Sequence, residues 1–259
     1  MYKVFDLETE THSSHKRKAS CFDVRNWVVA RGWKIQNDPK CSWSYHPTFD
    51  RSSYLTIEPY VTLLIGFNIK FDLMWEMAQN NPDLLAFFQR GGKVWDCQYA
   101  EYLLNAQHPD SQMCALTDVA PKYGGTKKID EVKALWEAGV QTSAIPEDLL
   151  IDYLVGTPEE QRNGGDIRNT ELTFLGQIKR AVQLGMVKMI QDRMDGLLCT
   201  TDMEFRGLKI DVKEAGRRLQ ILQDDLAKAD AELNSYVPAD LPFEFNWGSK
   251  NHASYIIFG

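Results

Sequence analysis

Long apolar runs are missing from this 259-residue sequence. A membrane-spanning helix needs about 20 mostly apolar residues, and no stretch approaches that length, so we expect no association with a membrane. The N-terminus is also unlike a secretory signal peptide, because Lys3 and Asp6 interrupt its apolar start. These absences predict an intracellular, cytoplasmic protein.

Cysteine is scarce and unpatterned. The five cysteines have no Cys-x-x-Cys spacing, which argues against both a zinc site and a disulfide framework. We therefore expect reduced thiols with a structural role at Cys21, Cys41, Cys97, Cys114 and Cys199.

Positive charge is in deficit, with a net charge of −7. A broad, sequence-independent grip on a duplex requires clustered Lys and Arg, so that class of binding is disfavoured. Nucleic-acid chemistry is not excluded, because short basic clusters occur at 16–18, 127–128 and 179–180. Otherwise the composition is ordinary for a globular protein that holds one large domain or one domain with an appendage.

Two acids follow the first apolar run of the chain, Val4-Phe5. If this run is a β-strand, Asp6 and Glu8 project to the same side. Two close carboxylates raise each other's pKa unless a cation lies between them, and a hard divalent metal is the common solution. An isolated Asp-x-Glu triplet is more often a solvated strand end. Its position at the exit of an N-terminal strand favours a ligand crevice.

Two further aspartates stand near predicted strand-to-helix or loop-to-helix junctions. The continuous apolar strand at 61–67 leads through a short turn to Asp72. Asp166 follows a break at 157–165 and precedes a helical stripe of apolar residues from Leu172 to Ile190. Because Asp is also a preferred helix N-cap, both a cap and a metal ligand remain open for each.

The remaining pattern predicts alternating strands and helices. Strands are indicated at 26–35 and 41–45, as an antiparallel pair beside the first strand, and at 93–96. Helices are indicated near 97–104, 116–123, 127–139 and 145–154. Apolar residues at heptad positions over 212–233 predict a long helix that packs against another helix.

Three motifs together resemble the exonuclease motifs of the proofreading domain in family A DNA polymerases, the group related to bacterial polymerase I and phage replicative polymerases. They are Asp6-x-Glu8, Asn68-x-x-Phe71-Asp72 and Asp166-x-x-x-Thr170. Residues 203–211 look like that family's segment between exonuclease and polymerase. Phe245-Asn246 and the ending at 257–259 look like the start of its polymerase domain. The resemblance implies an exonuclease domain over 1–195, then a connecting helix and the beginning of a polymerase domain over 196–259, in a bacterial or phage-infected cell.

The fold implied by the resemblance is α/β and RNase H-like, of the DnaQ-like exonuclease type. It would contain a mixed five-stranded sheet with flanking helices, followed by a C-terminal helical segment. The activity implied is 3′→5′ removal of nucleoside 5′-monophosphates from a single-stranded or frayed 3′ end of DNA. The partner implied is a polymerase domain, in cis or on a separate chain.

The resemblance also implies roles for individual residues. Asp6 would bridge two Mg²⁺ or Mn²⁺ ions, with Glu8 and Asp166 completing the first ion and Asp72 holding the second. Asn68 and Lys70 would help to position the terminal nucleotide, although a packed structural Asn is an equal alternative at 68.

The third motif departs from the family pattern. The family has a tyrosine four residues before the last aspartate, and this chain has Arg162 there. Tyr153 lies before what looks like an insertion at 157–165, and we assign it as the tyrosine that orients the attacking water.

Two other functions stay open. An RNA-processing exonuclease of the same superfamily would share the four acids. A decayed exonuclease fold that serves as a binding or structural module would explain the displaced tyrosine, although decay usually removes a carboxylate.

Overall fold

The computed structural model describes residues 1–12, 19–126 and 130–258. The basic clusters at 16–18 and 127–128 and the final Gly259 lie outside these residues. The chain divides into two compact units, Met1–Arg206 and Gly207–Gly259. Residue 195, where the exonuclease domain is expected to end, lies inside the last helix of the first unit.

The first unit contains a mixed five-stranded sheet in the order β3-β2-β1-β4-β5. β1 pairs antiparallel with β2 and β2 antiparallel with β3, whereas β4 runs parallel to both β1 and β5. This confirms the predicted antiparallel pair and the buried parallel strand. The strands are β1 Tyr2–Thr9, β2 Val28–Ile35, β3 Ser42–Tyr45, β4 Leu63–Gly66 and β5 Lys93–Asp96.

The described helices of the first unit lie at nearly all of the predicted positions. The helical stripe predicted from Leu172 to Ile190 is divided into two helices, however. Gly185 adopts a φ of +66°, a conformation that favours glycine, and Met186 N–H donates to Ala181 O at 2.8 Å to close the first helix. The helices are α1 Ile69–Ala78, α2 Pro82–Gln89, α3 Cys97–Leu104, α4 Leu116–Val119, α5 Asp130–Glu137, α6 Glu147–Val155, α7 Gly165–Gln183 and α8 Val187–Arg206.

Helices cover both faces of the sheet, and two neighbouring residues of β2 show this. Successive strand residues point to opposite faces. A Cβ at Gly32 would lie 2.7 Å from Leu154 of α6 and 3.0 Å from Ile167 of α7. On the other face, Arg31 bonds to Glu76 of α1. The central strands are therefore enclosed between α6 and α7 on one side and α1 on the other.

Burial of the central strands provides the core. Val4 and Phe5 of β1 and Leu64 and Ile65 of β4 are each at most 1% exposed, although neighbours in a strand face opposite sides. Each such side chain contributes about 1.5–3 kcal/mol relative to full exposure. A strand buried on both faces explains the continuous apolar run at 61–67, and it gives the site a rigid base.

The second unit contains two helices, α9 Val212–Ser235 and α10 Lys250–Phe258, which confirms the C-terminal helical segment. The Asp211 carboxylate caps α9 by accepting from Glu214 N–H at 3.0 Å. α9 buries none of its residues, and Leu219, Leu222 and Leu226 are exposed.

Among the described residues, no helix is both long enough and apolar enough to cross a membrane.

Candidate metal centre

Asp6 and Glu8 stand where β1 extends beyond its parallel neighbour. β1 pairs with β4 only as far as Val4, and β4 then gives way to α1. The two acids therefore lie beside the carboxyl end of β4, at an edge where parallel sheets commonly bind ligands. Both are half-buried, and Leu7 N–H donates to Asp6 Oδ1 at 3.1 Å.

Asp166 enters the same space from α7, because of the glycine that precedes it. Gly165 has a φ of +60°, and a Cβ there would lie 2.6 Å from Tyr153 O and from the carbonyl carbon of Leu154. Only glycine fits this approach of α7 to the end of α6. Carboxylate oxygens of Asp6, Glu8 and Asp166 all lie within 4.8 Å of one another, which brings two of the predicted motifs together.

Asp72, on α1 at the other face of the sheet, lies near this group but is not one of the three residues within 4.8 Å of one another. Its side chain is 2% exposed. Burial, and then the charges of Asp6 and Glu8, raise the pKa of Asp72 well above its ordinary value. Neither Asp72 nor Asp166 is a helix cap, because the N-cap residues of α1 and α7 are Asn68 and Gly164. The capping alternative is therefore wrong for both.

Four carboxylates in one partly dry space repel one another strongly. At an effective dielectric constant of 20, two unit charges about 5 Å apart repel by about 3 kcal/mol. The donor set is all oxygen, and the metal-ligating cluster found among the described residues includes neither Cys nor His. Such a set suits Mg²⁺ or Mn²⁺ and does not suit zinc.

All five cysteines are free, as the sequence predicts.

Asp96 is a fifth acid that the sequence analysis did not single out. It ends β5, is 3% exposed, and its Oδ1 accepts from the backbone N–H groups of Asn68, Gln98 and Tyr99. Burial raises its pKa to about 6 even though these hydrogen bonds lower it. The signal was available, since Trp95-Asp96 repeats the pattern of an apolar strand that ends in an acid before a helix.

Asn68 and Lys70 take structural partners in this chain. Asn68 has a left-handed backbone (φ 61°) at the start of α1, and its backbone N–H donates to Asp96 Oδ1 at 3.2 Å. Lys70 Nζ donates to Glu204 Oε1 of α8 at 2.9 Å. Their roles in positioning a nucleotide stay predictions.

Tyr153 lies on α6, and its side chain is 8% exposed. Its ring packs edge-on against Trp136, with ring centroids 5.7 Å apart. Arg162 forms an ion pair with Asp152, and its guanidinium lies 5.4 Å from the ring centre of Trp43. Through these two contacts, Arg162 attaches the turn at 157–164 to β3 and α6.

An open groove of about 730 Å³ adjoins Glu8. One wall is the end of β1 from Leu7 onward, including Glu8, and Phe71 of α1 contributes to it. The other wall comes from Trp136 and the segment 139–142. Thr142 ties the walls together, because its hydroxyl donates to Thr9 O at 2.8 Å and accepts from Trp136 Nε1 at 3.1 Å. The volume is within the usual range for small-ligand sites.

Comparison with known proteins places the fold. No protein-family model and no curated protein matches the sequence. A solved structure described as the apo form of the nuclease superposes with a TM-score of 0.50 at 10% identity, covering 82% of this chain and 88% of its own. The fold is RNase H-like. Two structures of Brucella melitensis NrnC, one with bound Mg²⁺, give TM-scores of 0.46 and 0.42 at 13% and 12% identity, each covering 82% of this chain and 89% of its own.

Proposed function

We propose that this chain is a metal-dependent 3′→5′ exonuclease that hydrolyses phosphodiester bonds at a nucleic-acid end and releases nucleoside 5′-monophosphates. The observation that carries the proposal is the convergence of Asp6, Glu8 and Asp166 within 4.8 Å, with Asp72 buried beside them. They come from three separate elements of an RNase H-like fold, and Glu8 lines an open groove. A structural role would not explain such a costly concentration of negative charge.

The donor chemistry fits divalent ions. Asp6, Glu8 and Asp166 would hold one ion and Asp72 a second, with Asp6 shared between them, as the sequence resemblance implies. Divalent ions at this place supply a water of lowered pKa and neutralise charge on the reacting phosphate. Four carboxylates carry enough negative charge for two such ions, which supports the choice of two over one.

The chain's own residues do the remaining work. The groove beside Glu8 offers Leu7 and Phe71 as apolar contacts for the terminal nucleoside. The backbone of Tyr153 adjoins Gly165, the residue before Asp166, which supports the assignment of that tyrosine as the group that orients the attacking water. Water orientation and substrate alignment together lower the entropic part of the barrier.

The substrate is either DNA or RNA, and different observations favour each. The segment at 203–211 and Phe245-Asn246 favour a DNA proofreading domain. A nuclease without a polymerase domain is supported by the solved nuclease, because the matched region is 88% of that chain and 82% of this one. The RNase H-like fold therefore does not need a polymerase to be complete, and we treat the RNA-processing function as an equal candidate.

A polymerase partner, in cis or on a separate chain, is a further part of the proposal. Its support is the sequence resemblance at 203–211 and the apolar heptad face of α9, which is exposed at Leu219, Leu222 and Leu226. Analytical ultracentrifugation with a family A polymerase fragment that lacks its own exonuclease tests it. Sedimentation of the two as independent species would exclude the separate-chain partner.

The decayed-module alternative predicts a missing or misplaced carboxylate. All four predicted acids are present, and three of them meet within ligand-sharing distance. The displaced tyrosine is its only support, and an enzyme with four carboxylates in place is the better proposal.

The deciding experiment uses two 5′-labelled single strands of identical sequence, one DNA and one RNA. Each is incubated with Mg²⁺, with Mn²⁺ and with EDTA. We expect stepwise shortening from the 3′ end with metal, no shortening with EDTA, and none with Asp166→Asn. The ratio of the DNA and RNA rates decides the substrate. No shortening of either strand with either metal would overturn the proposal and favour the decayed module.

A further inference from the structure

A buried ion pair lies one helical turn behind Asp72. Glu76 is four residues along α1 from Asp72, so both side chains share one face of the helix. Glu76 bonds to Arg31 of β2, with Nε and Oε1 3.1 Å apart, and both side chains are only 1% exposed. Arg31 is the β2 partner of Leu7, the residue between Asp6 and Glu8.

Four hydrogen bonds hold the guanidinium of Arg31. Its Nη1 donates to Ser53 Oγ at 3.0 Å, and its Nη2 donates to Ser53 O at 2.8 Å and to Gln79 Oε1 at 2.6 Å. Together with the bond to Glu76, these contacts fix the planar group in one orientation. Arginine is suited to this because its donors form a rigid fork.

Glu76 is held just as firmly. Its Oε2 accepts from Leu55 N–H at 2.9 Å and from Asn81 Nδ2 at 2.6 Å, while Oε1 accepts from Arg31. The rotation of α1 about its axis and its distance from β2 are therefore both set at Glu76. One turn away on the same face, Asp72 inherits that placement.

Stability alone does not account for the pair. Burying two charges costs so much desolvation that a well-packed apolar pair often stabilises a fold equally or better. What a fully bonded pair adds is one defined geometry. In this chain that geometry relates α1, which carries Asp72, to the β1–β2 ladder, which carries Asp6 and Glu8.

We propose that the Arg31–Glu76 ion pair is a positioning element of the metal centre, which fixes Asp72 at the spacing from Asp6 and Glu8 that divalent ions require. The inference rests on the proposed function, since it assigns these residues to support the same site. Partners that orient metal ligands typically change metal affinity or activity by about 10- to 100-fold when they are replaced.

The test is the double variant Arg31→Met/Glu76→Gln, which removes both charges at similar volume and leaves no buried charge unpaired. We expect its melting temperature in EDTA to fall only modestly, because Ser53 O and Gln79 Oε1 lose a donor while no charge is left unpaired. Its Mn²⁺ affinity by isothermal titration calorimetry should fall by about 10-fold or more. Its kcat on a labelled oligonucleotide should fall similarly, whereas KM should change little because the groove is intact.

A matched control is Lys3→Met/Glu58→Gln. Lys3 and Glu58 form another largely buried ion pair, 3.2 Å apart, and Lys3 lies on β1 itself. No described contact of Lys3 reaches α1, because its other hydrogen bond goes to Thr56 O. The control double variant should therefore keep the Mn²⁺ affinity of the wild type.

Each outcome bears on one proposal. Equal Mn²⁺ affinity and kcat in the two double variants would overturn the positioning role. Loss of affinity in both, in proportion to lost stability, would also overturn it in favour of a purely structural role. If Arg31→Met/Glu76→Gln does not fold, Arg31→Lys serves, since it keeps a buried cation for Glu76 and removes only the rigid fork of donors. A wild type that binds no Mn²⁺ and cleaves nothing overturns the proposed function instead.

Discussion

Removing one carboxylate from the metal centre should make the metal-free protein more stable. In Asp166→Asn, the charge that lies within 4.8 Å of both Asp6 and Glu8 disappears while the side chain keeps its size. Each pair repels by about 3 kcal/mol at an effective dielectric constant of 20. Asp6 and Glu8 are half-exposed and are screened by solvent, so we expect a net gain of about 1–3 kcal/mol.

Thermal denaturation in EDTA and in Mn²⁺ measures this effect. For a protein of this size, 1 kcal/mol shifts Tm by about 2–4 °C, so the variant should melt several degrees above the wild type in EDTA. Ion binding at 100 times Kd stabilises the wild type by about 2.7 kcal/mol. Mn²⁺ should therefore raise the Tm of the wild type more than that of the variant and reduce or reverse their order, while the variant hydrolyses no substrate.

Asp118→Asn is the matched control, because Asp118 is an exposed carboxylate on α4. Its Tm should be close to that of the wild type in both buffers. A Tm for Asp166→Asn below that of the wild type in EDTA would refute the argument from repulsion. An equal Mn²⁺-induced shift in both proteins would refute Asp166 as a ligand.

Three further results are expected. Tyr153→Phe should lower kcat by about 100-fold with unchanged Mn²⁺ affinity, and an unchanged kcat would remove the tyrosine from the proposed mechanism. Burial alone would raise the pKa of Glu171, but hydrogen bonds, the strongest from Lys34, lower it, so its stabilisation is present above about pH 4.3 and is lost as pH falls through the lowered pKa. Glu171→Gln should therefore cost about 3 kcal/mol at pH 7 in urea denaturation, with a difference from the wild type that shrinks as pH falls below about 4.3 and through the lowered pKa. Gly32→Ala should cost about 1–3 kcal/mol in the same assay, since the new Cβ would lie 2.7 Å from Leu154, and an unchanged midpoint would show that α6 can shift.

The sheet was predictable because its strands carry strong local signals. The run at 61–67 is apolar on both sides, as a strand buried on both faces must be, and it is β4 in the structure. The break between α7 and α8 was not predicted, because the apolar stripe continues in phase across it. Only the backbone conformation of Gly185 ends the first helix, and an isolated glycine within a helical pattern does not reveal its φ.

The acidic residues of the candidate site could be predicted from the sequence, but the ion pair that supports them could not. Asp6, Glu8 and Asp166 each follow a local pattern, and a resemblance to known motifs linked them before any distance was known. Arg31 and Glu76 gave no such signal, because a charged residue in a strand or helix is normally a solvated one. Their burial arises from pairing across 45 residues of sequence. Long-range polar contacts of this kind leave no trace in periodicity.

Position 162 has a structural role in this chain. Arg162 O accepts from Cys41 N–H at 2.7 Å, and the Arg162 guanidinium donates to Gly156 O at 2.7 Å, so position 162 belongs to a turn that is bound between α6 and the start of β3. A tyrosine placed there would face Trp43 and not β1. A water-orienting tyrosine must come from an element that adjoins Asp166, and the carbonyl group of Tyr153 abuts Gly165 directly. The end of α6 therefore meets the start of α7 despite the turn at 157–164 between them, which is the condition for Tyr153 to act beside Asp166 in the proposed mechanism.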